Sequence, residues 1–391
     1  MNKVKHYCQA ISGVQLNLIL WVFTFFIPKQ PKLLLFSSGG GKSYYGNSLR
    51  IFEFLDDSEY KCVWITADKK ILRMLLSKKK NVVYKYSIYG FWATVRAKFI
   101  FIDHDNTDFC HHFIFSYRFP VIQLWHGIAF KNVRLQDKNV RNVQGLWKNI
   151  RKYYIKKETS SYKLIISTSE TDKKLMRDSF ASNHVAITGL PRNDIFYDTE
   201  VAASIKSHLS LESFNKVFLY APTYREDQKV NPFSENFWVS LQEILEKTNT
   251  VFLIKKHPAD NGLVVPKNFS NIIDVTSMAP DVQPILTATD LLITDYSSIA
   301  ADFALTKRPI IFYTYDFESY IENCRDFYYD LKEILPGPFV ESENQLLQLL
   351  IDQTWFQNEE HQHRYSDFIN AFHKYQDGNS SERVLKELQL L

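Results

Sequence analysis

The chain has 391 residues, a formal net charge of +4 and a hydrophobic content of 45%. This length exceeds one ordinary core and predicts two domains, and the composition excludes a disordered or fibrous protein. The net charge is too small to indicate a nucleic-acid-binding protein, and we expect no nucleic-acid partner. The 4 cysteines have no metal-ligand or disulfide spacing, which favours a reducing, cytosolic compartment.

An apolar segment lies near the start of the chain at residues 11–27, ISGVQLNLILWVFTFFI. It is interrupted by Ser12, Gln15 and Asn17, and it is short for a spanning helix, which needs about 20 apolar residues. The absence of a small-residue cleavage site after it disfavours a signal peptide. We expect this stretch, within an N-terminal membrane-associated segment 1–30, to form a helix that lies in or on a membrane, with a buried core helix and a true span as alternatives.

The first predicted strand, Leu33–Ser37, runs into three glycines that are followed by Lys42 and Ser43. This loop resembles half of a nucleotide P-loop, but the first glycine of that motif would fall at Phe36. The spacing therefore disfavours a P-loop. A flexible turn and a loop that faces another anionic ligand remain possible.

Short apolar runs alternate with mixed helical segments through the rest of the chain. This alternation predicts parallel α/β units, and the pattern repeats after a break at residues 189–213. We therefore predict two doubly wound domains, 31–195 and 196–391, with a cleft between them. The predicted strands are Leu33–Ser37, Cys62–Ile65, Val82–Tyr86, Phe99–Ile102, Val121–Trp125, Leu164–Thr168, Val217–Tyr220, Val251–Lys255, Ile272–Val275, Leu291–Thr294 and Ile310–Tyr313. Helices are predicted over 48–55, 69–78, 170–180, 237–247 and 297–305, and segments 361–374 and 381–390 are expected to pack back across the domains.

Two histidines follow predicted strands, one in each domain. His126 ends the run VIQLWH and precedes Gly127, whereas His257 ends the run VFLIKKH. Ligands of doubly wound sheets bind at the carboxyl ends of strands, and a histidine there is suited to proton transfer. A hydrogen-bonded structural histidine is the alternative for each. Their matching positions favour one shared cleft.

A third strand-end segment, LLITDYSSIAADF, carries Asp295, Ser297 and Ser298. One serine is expected to cap a helix whose free N–H groups suit a phosphate, while Asp295 would orient a hydroxyl or a histidine. Simple helix caps are the alternative. Arg192 in GLPRND and Arg225 in YAPTYR suit bidentate phosphate binding, although surface arginines are common.

A cluster of polar residues in the first domain raises the question of a metal site. Its members are Asp103, His104, Asp105, Cys110, His111 and His112. Their spacing matches no known ligand pattern, so we predict no metal.

Residues 131–157 contain nine Lys/Arg and one acid, a balance of +8. The same stretch contains Trp147, Tyr153 and Tyr154. Basic residues with interfacial aromatics favour an anionic membrane surface. Nucleic acid and a solvated helix face are the alternatives.

Six motifs then stand in one order along the chain. They are LWHG with Lys131 following, GLPRND, YAPTYR, KKHP, TDYSS with Asp302 following, and PIIFYTYDFESY at 309–320. In this order and spacing, from Leu33 to Tyr320, they resemble the CDP-glycerol glycerophosphotransferase family of teichoic-acid and capsule synthesis. The resemblance implies a GT-B fold and transfer of a polyol phosphate, glycerol phosphate above all, from a CDP-activated donor to a lipid-linked glycan. It further implies release of CMP, no cofactor, and a peripheral enzyme on the cytoplasmic face of the bacterial membrane.

The resemblance also implies roles for individual residues. His126 matches the family histidine proposed as general base, and His257 matches the one proposed to assist at the donor phosphates. The residues expected at the donor are Arg192, Asn193, Thr223, Arg225, Asp295, Ser297, Ser298 and Asp302. The residues expected on the acceptor side are Lys42, Gly127 and Lys131.

The chain departs from the family pattern after the WHG motif and at the glycine loop. Ile128-Ala129 stands where the family often has Thr-Pro, which leaves the acceptor open. A CDP-ribitol donor, or a GT-B glycosyltransferase that uses a nucleotide sugar, remain the alternatives. The length is closer to that of primases, which add one unit, than to that of the polymerases.

Overall fold

The computed structural model describes residues 24–109, 119–142, 146–160, 162–225, 231–257, 260, 262–323, 327–352 and 354–391. Residues 11–23 of the predicted membrane helix lie outside these ranges, and the described remainder holds a short 3-10 helix, Thr24–Phe26. The prediction of an N-terminal membrane-associated helix is therefore not supported. Within the described ranges, we find no helix with the length and apolar character needed to cross a bilayer.

Two parallel sheets form the framework, which confirms the predicted α/β fold. The strands of the first are β1 (Gln30–Ser37), β2 (Lys61–Thr66), β3 (Val82–Tyr84), β4 (Ala97–Ile102), β5 (Val121–Gln123), β6 (Tyr162–Ser167) and β7 (Val185–Ile187). Those of the second are β8 (Lys216–Tyr220), β9 (Thr250–Ile254), β10 (Ile272–Asp274), β11 (Leu291–Thr294), β12 (Ile310–Tyr313) and β13 (Phe339–Val340). The orders are β3-β2-β1-β4-β5-β6-β7 and β10-β9-β8-β11-β12-β13.

Helices connect these strands and cover the sheets. In the first half they are α1 (Asn47–Phe54), α2 (Lys69–Ser77), α3 (Ile88–Arg96), α4 (Lys138–Arg141), α5 (Leu146–Thr159) and α6 (Glu170–Phe180). The remainder are α7 (Thr199–His208), α8 (Glu235–Thr248), α9 (Gln283–Ala288), α10 (Ile299–Ala304), α11 (Phe317–Asn323), α12 (Leu331–Ile334), α13 (Glu343–Ile351), α14 (Glu359–Phe372) and α15 (Ser380–Glu387).

Both faces of each sheet are buried, which explains the continuous apolar runs. Along β1, Leu33 and Leu35 join the core cluster on one face, while Leu34 and Phe36 join the cluster on the other. Successive side chains of a strand point to opposite faces, so a strand covered by helices on both sides must be apolar throughout.

Strand β5 ends two residues earlier than predicted, and this places His126 on a loop. Trp125 has a φ of +52°, which is outside the β region. The Gln123 side chain accepts a hydrogen bond from the Trp125 N–H at 2.9 Å and stabilises this turn. The strand therefore stops at Gln123, and Trp125 and His126 project from the carboxyl edge of the sheet.

The last helix returns to the first sheet. Val384 and Leu385 of α15 pack into a core cluster of that sheet. The Asp194 carboxylate accepts hydrogen bonds from the N–H groups of Ser380 and Ser381, at 2.9 and 2.8 Å, at the start of this helix. One predicted motif, GLPRND, therefore anchors the C-terminal end of the chain.

The strand orders fix where a ligand would bind. Each order reverses direction between two central strands, β1 and β4 in the first sheet and β8 and β11 in the second. Ligands of such sheets bind outside the carboxyl ends of the strands at this switch point. The loops after these strands carry the residues considered next.

Candidate active site

A cavity of about 190 Å³ lies between the loops that follow β5, β8 and β11. Its lining includes six of the predicted site residues: His126, Gly127, Lys131, Thr223, Ser297 and Ser298. The structure therefore brings the predicted acceptor and donor sides into one cleft.

The hydrogen bond of His126 fixes its tautomer. His126 Nδ1 lies 3.0 Å from the carbonyl oxygen of Asp103, which can only accept, so Nδ1 carries the proton. Nε2 of the neutral ring is then the basic nitrogen. The side chain is exposed to the cleft, yet withdrawal from bulk solvent, followed by the nearby His104 and Arg192, lowers its pKa. His126 is therefore neutral at pH 7, with Nε2 unprotonated.

His104, which was not among the predicted site residues, stacks on His126. The ring centroids are 4.4 Å apart and the planes differ by 9°. Nδ1 of His104 accepts a hydrogen bond from the Gly39 N–H at 3.2 Å, so this ring carries its proton on Nε2. Burial lowers the pKa of His104. The two stacked rings are therefore both neutral.

Asp108 holds the backbone beneath this histidine pair. Its Oδ2 accepts from the N–H groups of Asp103 and His104 at 2.9 and 3.0 Å, and its Oδ1 accepts from the Gly40 N–H at 2.6 Å. Burial raises the pKa of Asp108 to about 7 and that of Asp103 to about 8. The network connects the glycine loop to the carbonyl group that orients His126.

The N–H groups of the glycine loop donate hydrogen bonds to acceptors within the protein. Gly39 donates to His104, Gly40 donates to Asp108, and Gly41 donates to the Ser38 carbonyl at 3.0 Å. A P-loop would instead direct such groups at a phosphate. The structure thus agrees with the spacing argument against that motif. Lys42, at the end of the loop, is exposed.

Gly127 lies close to Arg192 of the first domain and to Ser298 of the second. Its φ is +141°, in a region that favours glycine. A Cβ at this position would lie 2.9 Å from Arg192 Nη2 and 3.0 Å from Ser298 Oγ. A larger residue would therefore have to displace the side chains of Arg192 and Ser298.

Arg192, Asn193 and Asp302 form a buried connection between the domains. Arg192 makes an ion pair with Asp302, and Asn193 Nδ2 donates to Asp302 Oδ1 at 2.9 Å. Gln283, which sequence reasoning missed, donates to Asp302 Oδ2 at 3.0 Å. These three predicted donor residues have partners within the protein, and their contact with a donor stays a prediction. Arg192 Nε, by contrast, is buried and without a partner among the described residues.

Arg225 is also held by carboxylates. It forms a bidentate pair with Asp316, at 2.9 and 3.0 Å, and an ion pair with Asp295 at 2.6 Å. Asp295 Oδ1 further accepts from the Thr223 N–H at 2.9 Å and from its hydroxyl at 2.6 Å. This cluster fixes the loops after β8 and β11. The bidentate contact of the Arg225 guanidinium group is therefore made with Asp316. It is not free to make the same contact with a phosphate.

The two serines begin helix α10 in an unexpected way. Ser298 is the N-cap residue, but its side chain makes no capping bond, whereas Ser297 Oγ lies 3.4 Å from the Ile299 N–H. Ser298 Oγ instead lies near Gly127. The simple-cap alternative thus accounts for Ser297 alone.

Lys131 follows β5 in the first domain, and His257 follows β9 in the second. Lys131 bonds to the Tyr320 hydroxyl, with its ammonium 5.0 Å from the ring centroid. His257 is exposed, and its ring centroid is 4.7 Å from that of Tyr224. His257 is outside the lining of the 190 Å³ cavity, so the structure does not join the two predicted catalytic histidines in one pocket.

The basic stretch 131–157 is only partly directed outward. Arg134 is paired with Glu158 at 3.1 Å and contacts the His104 carbonyl, and Lys131 faces Tyr320. Lys156 and Lys157 are exposed on α5. Of the candidate metal ligands, Cys110, His111 and His112 lie outside the described residues, while Asp105 caps the 3-10 helix Asn106–Asp108.

The sequence predicted residues that line the cavity better than residues that hold the cavity-lining loops in place. Asn47 is an example: its Nδ2 donates to the carbonyls of Leu124 and Trp125, and its Oδ1 accepts from the Arg192 N–H. It thus connects two of the motifs. Their position in the sequence could have identified these residues. Asn47 follows β1, and Asp103 and His104 follow β4, the two strands at the switch point.

Known proteins resemble this chain over nearly its whole length. A family model described as CDP-glycerol:poly(glycerophosphate) glycerophosphotransferase matches residues 19–390. A teichoic acid glycerol-phosphate transferase of Staphylococcus aureus is 32% identical over 91% of this chain and 92% of that protein. The ribitol-phosphate polymerase TarL of the same species is 32% identical over 93% of this chain but only 63% of its own length.

The fold has a solved counterpart. The structure of the wall teichoic acid polymerase TagF superposes with a TM-score of 0.78 at 25% identity, over 92% of this chain and 89% of that one. The GT-B-like arrangement implied by the motifs is thereby confirmed. The chain is an enzyme of polyol-phosphate transfer, and it belongs to the CDP-glycerol:poly(glycerophosphate) glycerophosphotransferase family.

Proposed function

We propose that this enzyme transfers glycerol phosphate from CDP-glycerol to a hydroxyl of a lipid-linked glycan and releases CMP. The acceptor oxygen attacks the β-phosphorus of the donor, and the bond from that phosphorus to the bridging oxygen of CMP breaks. One phosphodiester replaces one phosphoanhydride. The proton of the acceptor hydroxyl passes to His126.

The observation that carries this proposal is the orientation of His126. Donation from Nδ1 to the Asp103 carbonyl leaves Nε2 as the proton acceptor, at a position that lines the interdomain cavity. The lowered pKa keeps this nitrogen unprotonated at neutral pH. A neutral base near a reacting hydroxyl typically contributes 10²–10⁴-fold to the rate.

Groups from both domains would stabilise the donor phosphates. Ser298 Oγ and Thr223 line the cavity opposite His126, and the buried Arg192 Nε is a donor without a protein partner among the described residues. Hydrogen-bond donors held in place before the reaction stabilise charge as it develops on the leaving CMP. His257 would assist from the loop after β9.

On the acceptor side, Lys42 would bind an anionic group of the acceptor at the end of the glycine loop. The enzyme would work as a peripheral protein on the cytoplasmic face of the membrane, with residues 11–27 and 131–157 toward the lipid. The exposed Lys156 and Lys157 support the second of these contacts. A bilayer location matches an acceptor that is itself anchored in lipid.

CDP-ribitol is the second candidate donor. Its support is the 32% identity to a ribitol-phosphate polymerase, equal to that with the glycerol-phosphate transferase. The relatives thus do not favour one polyol.

A panel of donors tests both candidates. The full-length enzyme is incubated with CDP-glycerol, CDP-ribitol and nucleotide sugars, together with a lipid-linked acceptor, and products are identified by mass spectrometry. We expect CMP and a product heavier by one or more glycerol phosphate units. A nucleoside diphosphate, with a sugar added to the acceptor, would instead identify a glycosyltransferase and refute the proposal.

A further inference from the structure

His104 follows strand β4 and is fixed through both its backbone and its ring. Its N–H donates to Asp108 Oδ2 at 3.0 Å, and its carbonyl oxygen accepts from Gln123 Nε2 at 2.9 Å and from Arg134 Nη2 at 3.3 Å. The ring itself accepts the bond from the Gly39 N–H. A residue held at its N–H, its carbonyl and its ring has little freedom to turn. The position of this ring is therefore set before any ligand binds.

The bond to the His104 ring depends on the backbone of the glycine loop. Gly39, Gly40 and Gly41 have successive φ values of +59°, +69° and +78°, in the left-handed region that glycine adopts readily. A Cβ on Gly39 would also collide with the side chain of Ser43. The loop therefore needs glycine to direct its N–H groups inward, and one of these groups is the donor that fixes the His104 ring.

His126, by contrast, is held by one hydrogen bond within the described part of the chain. This bond joins Nδ1 to the Asp103 carbonyl; it fixes the tautomer but leaves the ring free to tilt. Two aromatic neighbours restrain the tilt. The Trp125 ring lies 4.2 Å away between centroids at an angle of 37°, and the His104 ring lies 4.4 Å away at 9°. Because the second contact is almost parallel, the His104 ring determines the plane of the His126 ring.

We propose that His104 is a positioning residue for His126: its ring is the surface against which the general base rests, and the glycine loop fixes that surface in place. His104 is outside the lining of the 190 Å³ cavity, so it acts through His126 and not on a substrate. The orientation matters because a misplacement of about 1 Å can cost up to about 100-fold in rate. This inference rests on the proposed function, in which His126 accepts the proton of the acceptor hydroxyl.

The stacked ring also keeps the base unprotonated. Withdrawal from solvent is the main cause of the lowered pKa of His126, and His104 is the next. Arg192 and Arg134 lower the pKa values of both rings, whereas Asp105 raises that of His104. Loss of the His104 ring would admit water to His126, so the pKa of His126 would rise toward its ordinary value of about 6.5. The base would then be protonated in mildly acidic solution.

Two substitutions separate the ring from its hydrogen bond. His104→Asn keeps an acceptor for the glycine loop but removes the ring, whereas His104→Phe keeps a ring without the acceptor. We expect kcat to fall about tenfold in His104→Asn and less in His104→Phe, while the KM for CDP-glycerol stays within about twofold of the wild type. If His104→Phe is no faster than His104→Asn, the role belongs to the hydrogen bond and the proposal is overturned.

His361→Asn is the matched control. His361 packs against Trp355 and Phe356 in the second domain, with ring centroids 5.1 and 5.3 Å apart, and it is outside the lining of the cavity. This change also removes an imidazole from aromatic neighbours, and we expect it to leave kcat unchanged well below the unfolding temperature. Equal losses of kcat in His104→Asn and His361→Asn would show a general effect of packing and overturn the proposal.

The pH dependence of kcat/KM is a readout that a purely structural role would not move. Between pH 7.5 and 5.5, we expect kcat/KM to fall at least about threefold more in His104→Asn than in the wild type; a histidine with an ordinary pKa would give about tenfold. The carboxyl groups of Asp103 and Asp108, beneath both rings, are present in both proteins, so their titration does not separate the two profiles. Identical profiles would overturn the proposal.

NMR of isotope-labelled histidine follows the base in the full-length protein without turnover. The His126 signals are assigned by their loss in His126→Ala. We expect one neutral tautomer in the wild type, with the proton on Nδ1, and mixed tautomers with protonation near about pH 6 in His104→Asn. If His126 keeps one neutral tautomer at pH 5.5 in His104→Asn, this inference fails while the proposed function stands. Turnover by His126→Ala at the wild-type rate would refute the proposed function, and this inference with it.

Discussion

Replacement of Asp302 by Asn tests whether this residue connects the domains. Asp302 is buried and accepts hydrogen bonds from Arg192, Asn193 and Gln283. An asparagine keeps one acceptor for Asn193 but turns an NH₂ group toward the other two donors. The buried ion pair and one hydrogen bond are lost together.

The magnitude follows from burial of the partners. Breaking a buried pair costs about 3–5 kcal/mol, and Arg192, whose side chain is 15% exposed, recovers part of its hydration. We therefore expect a loss of about 3 kcal/mol. At about 2 cal/mol/K per residue for the 391 residues, the unfolding temperature would fall by about 4 °C.

Calorimetry and urea unfolding measure this change. Asp377→Asn is the matched control, because Asp377 pairs with Arg383 at the surface and should cost at most about 1 kcal/mol. Suppose that Asp302→Asn unfolds at the temperature of the wild type but binds the CDP donor more weakly. Asp302 would then contact the donor, and a role for Asp302 as the connection between the domains would be refuted.

Three further predictions concern the cleft. Gly127→Ala should cost about 1–3 kcal/mol and lower kcat, because a Cβ would displace Arg192 and Ser298; normal kcat would contradict this. Burial raises the pKa of Asp103 from its ordinary value of about 4 to about 8 in the folded protein, so between these pH values stability should fall with rising pH by up to about 1.4 kcal/mol per unit. Urea unfolding at pH 5.5 and 7.5 should show this slope reduced in Asp103→Asn, and an unchanged slope would count against it. Lys42→Ala should raise the KM for the acceptor more than that for the donor; the reverse would assign the glycine loop to the donor.

Much of the fold is readable from the sequence because the strands are buried on both faces. Leu291–Thr294 and Ile310–Tyr313 match their predicted bounds, since each is a continuous apolar run ended by polar residues. Strands β7 and β13 were missed; they are three and two residues long and only partly buried. The equally short β3 and β10 were predicted, so a segment of this length gives no reliable signal.

The lining of the cleft was predictable, but its internal partners were not. Strand-end position identified His126 and Ser298. The pairing of Arg192 with Asp302 joins residues 110 positions apart, which no local pattern reveals. Likewise, the polar run Asp103–Asp105 raised the possibility of a metal site. In the structure, the Asp103 carbonyl instead orients His126, and His104 stacks on it.

The central claim is that His126 removes the proton of the acceptor hydroxyl as CMP leaves. The most direct measurement is the rate of CMP release from CDP-glycerol, with a lipid-linked acceptor, by the wild type and His126→Ala. We predict one CMP for each glycerol phosphate transferred, and a kcat at least about 100-fold lower in the variant, with CDP-glycerol binding retained. CMP release by His126→Ala at the wild-type rate would contradict the account.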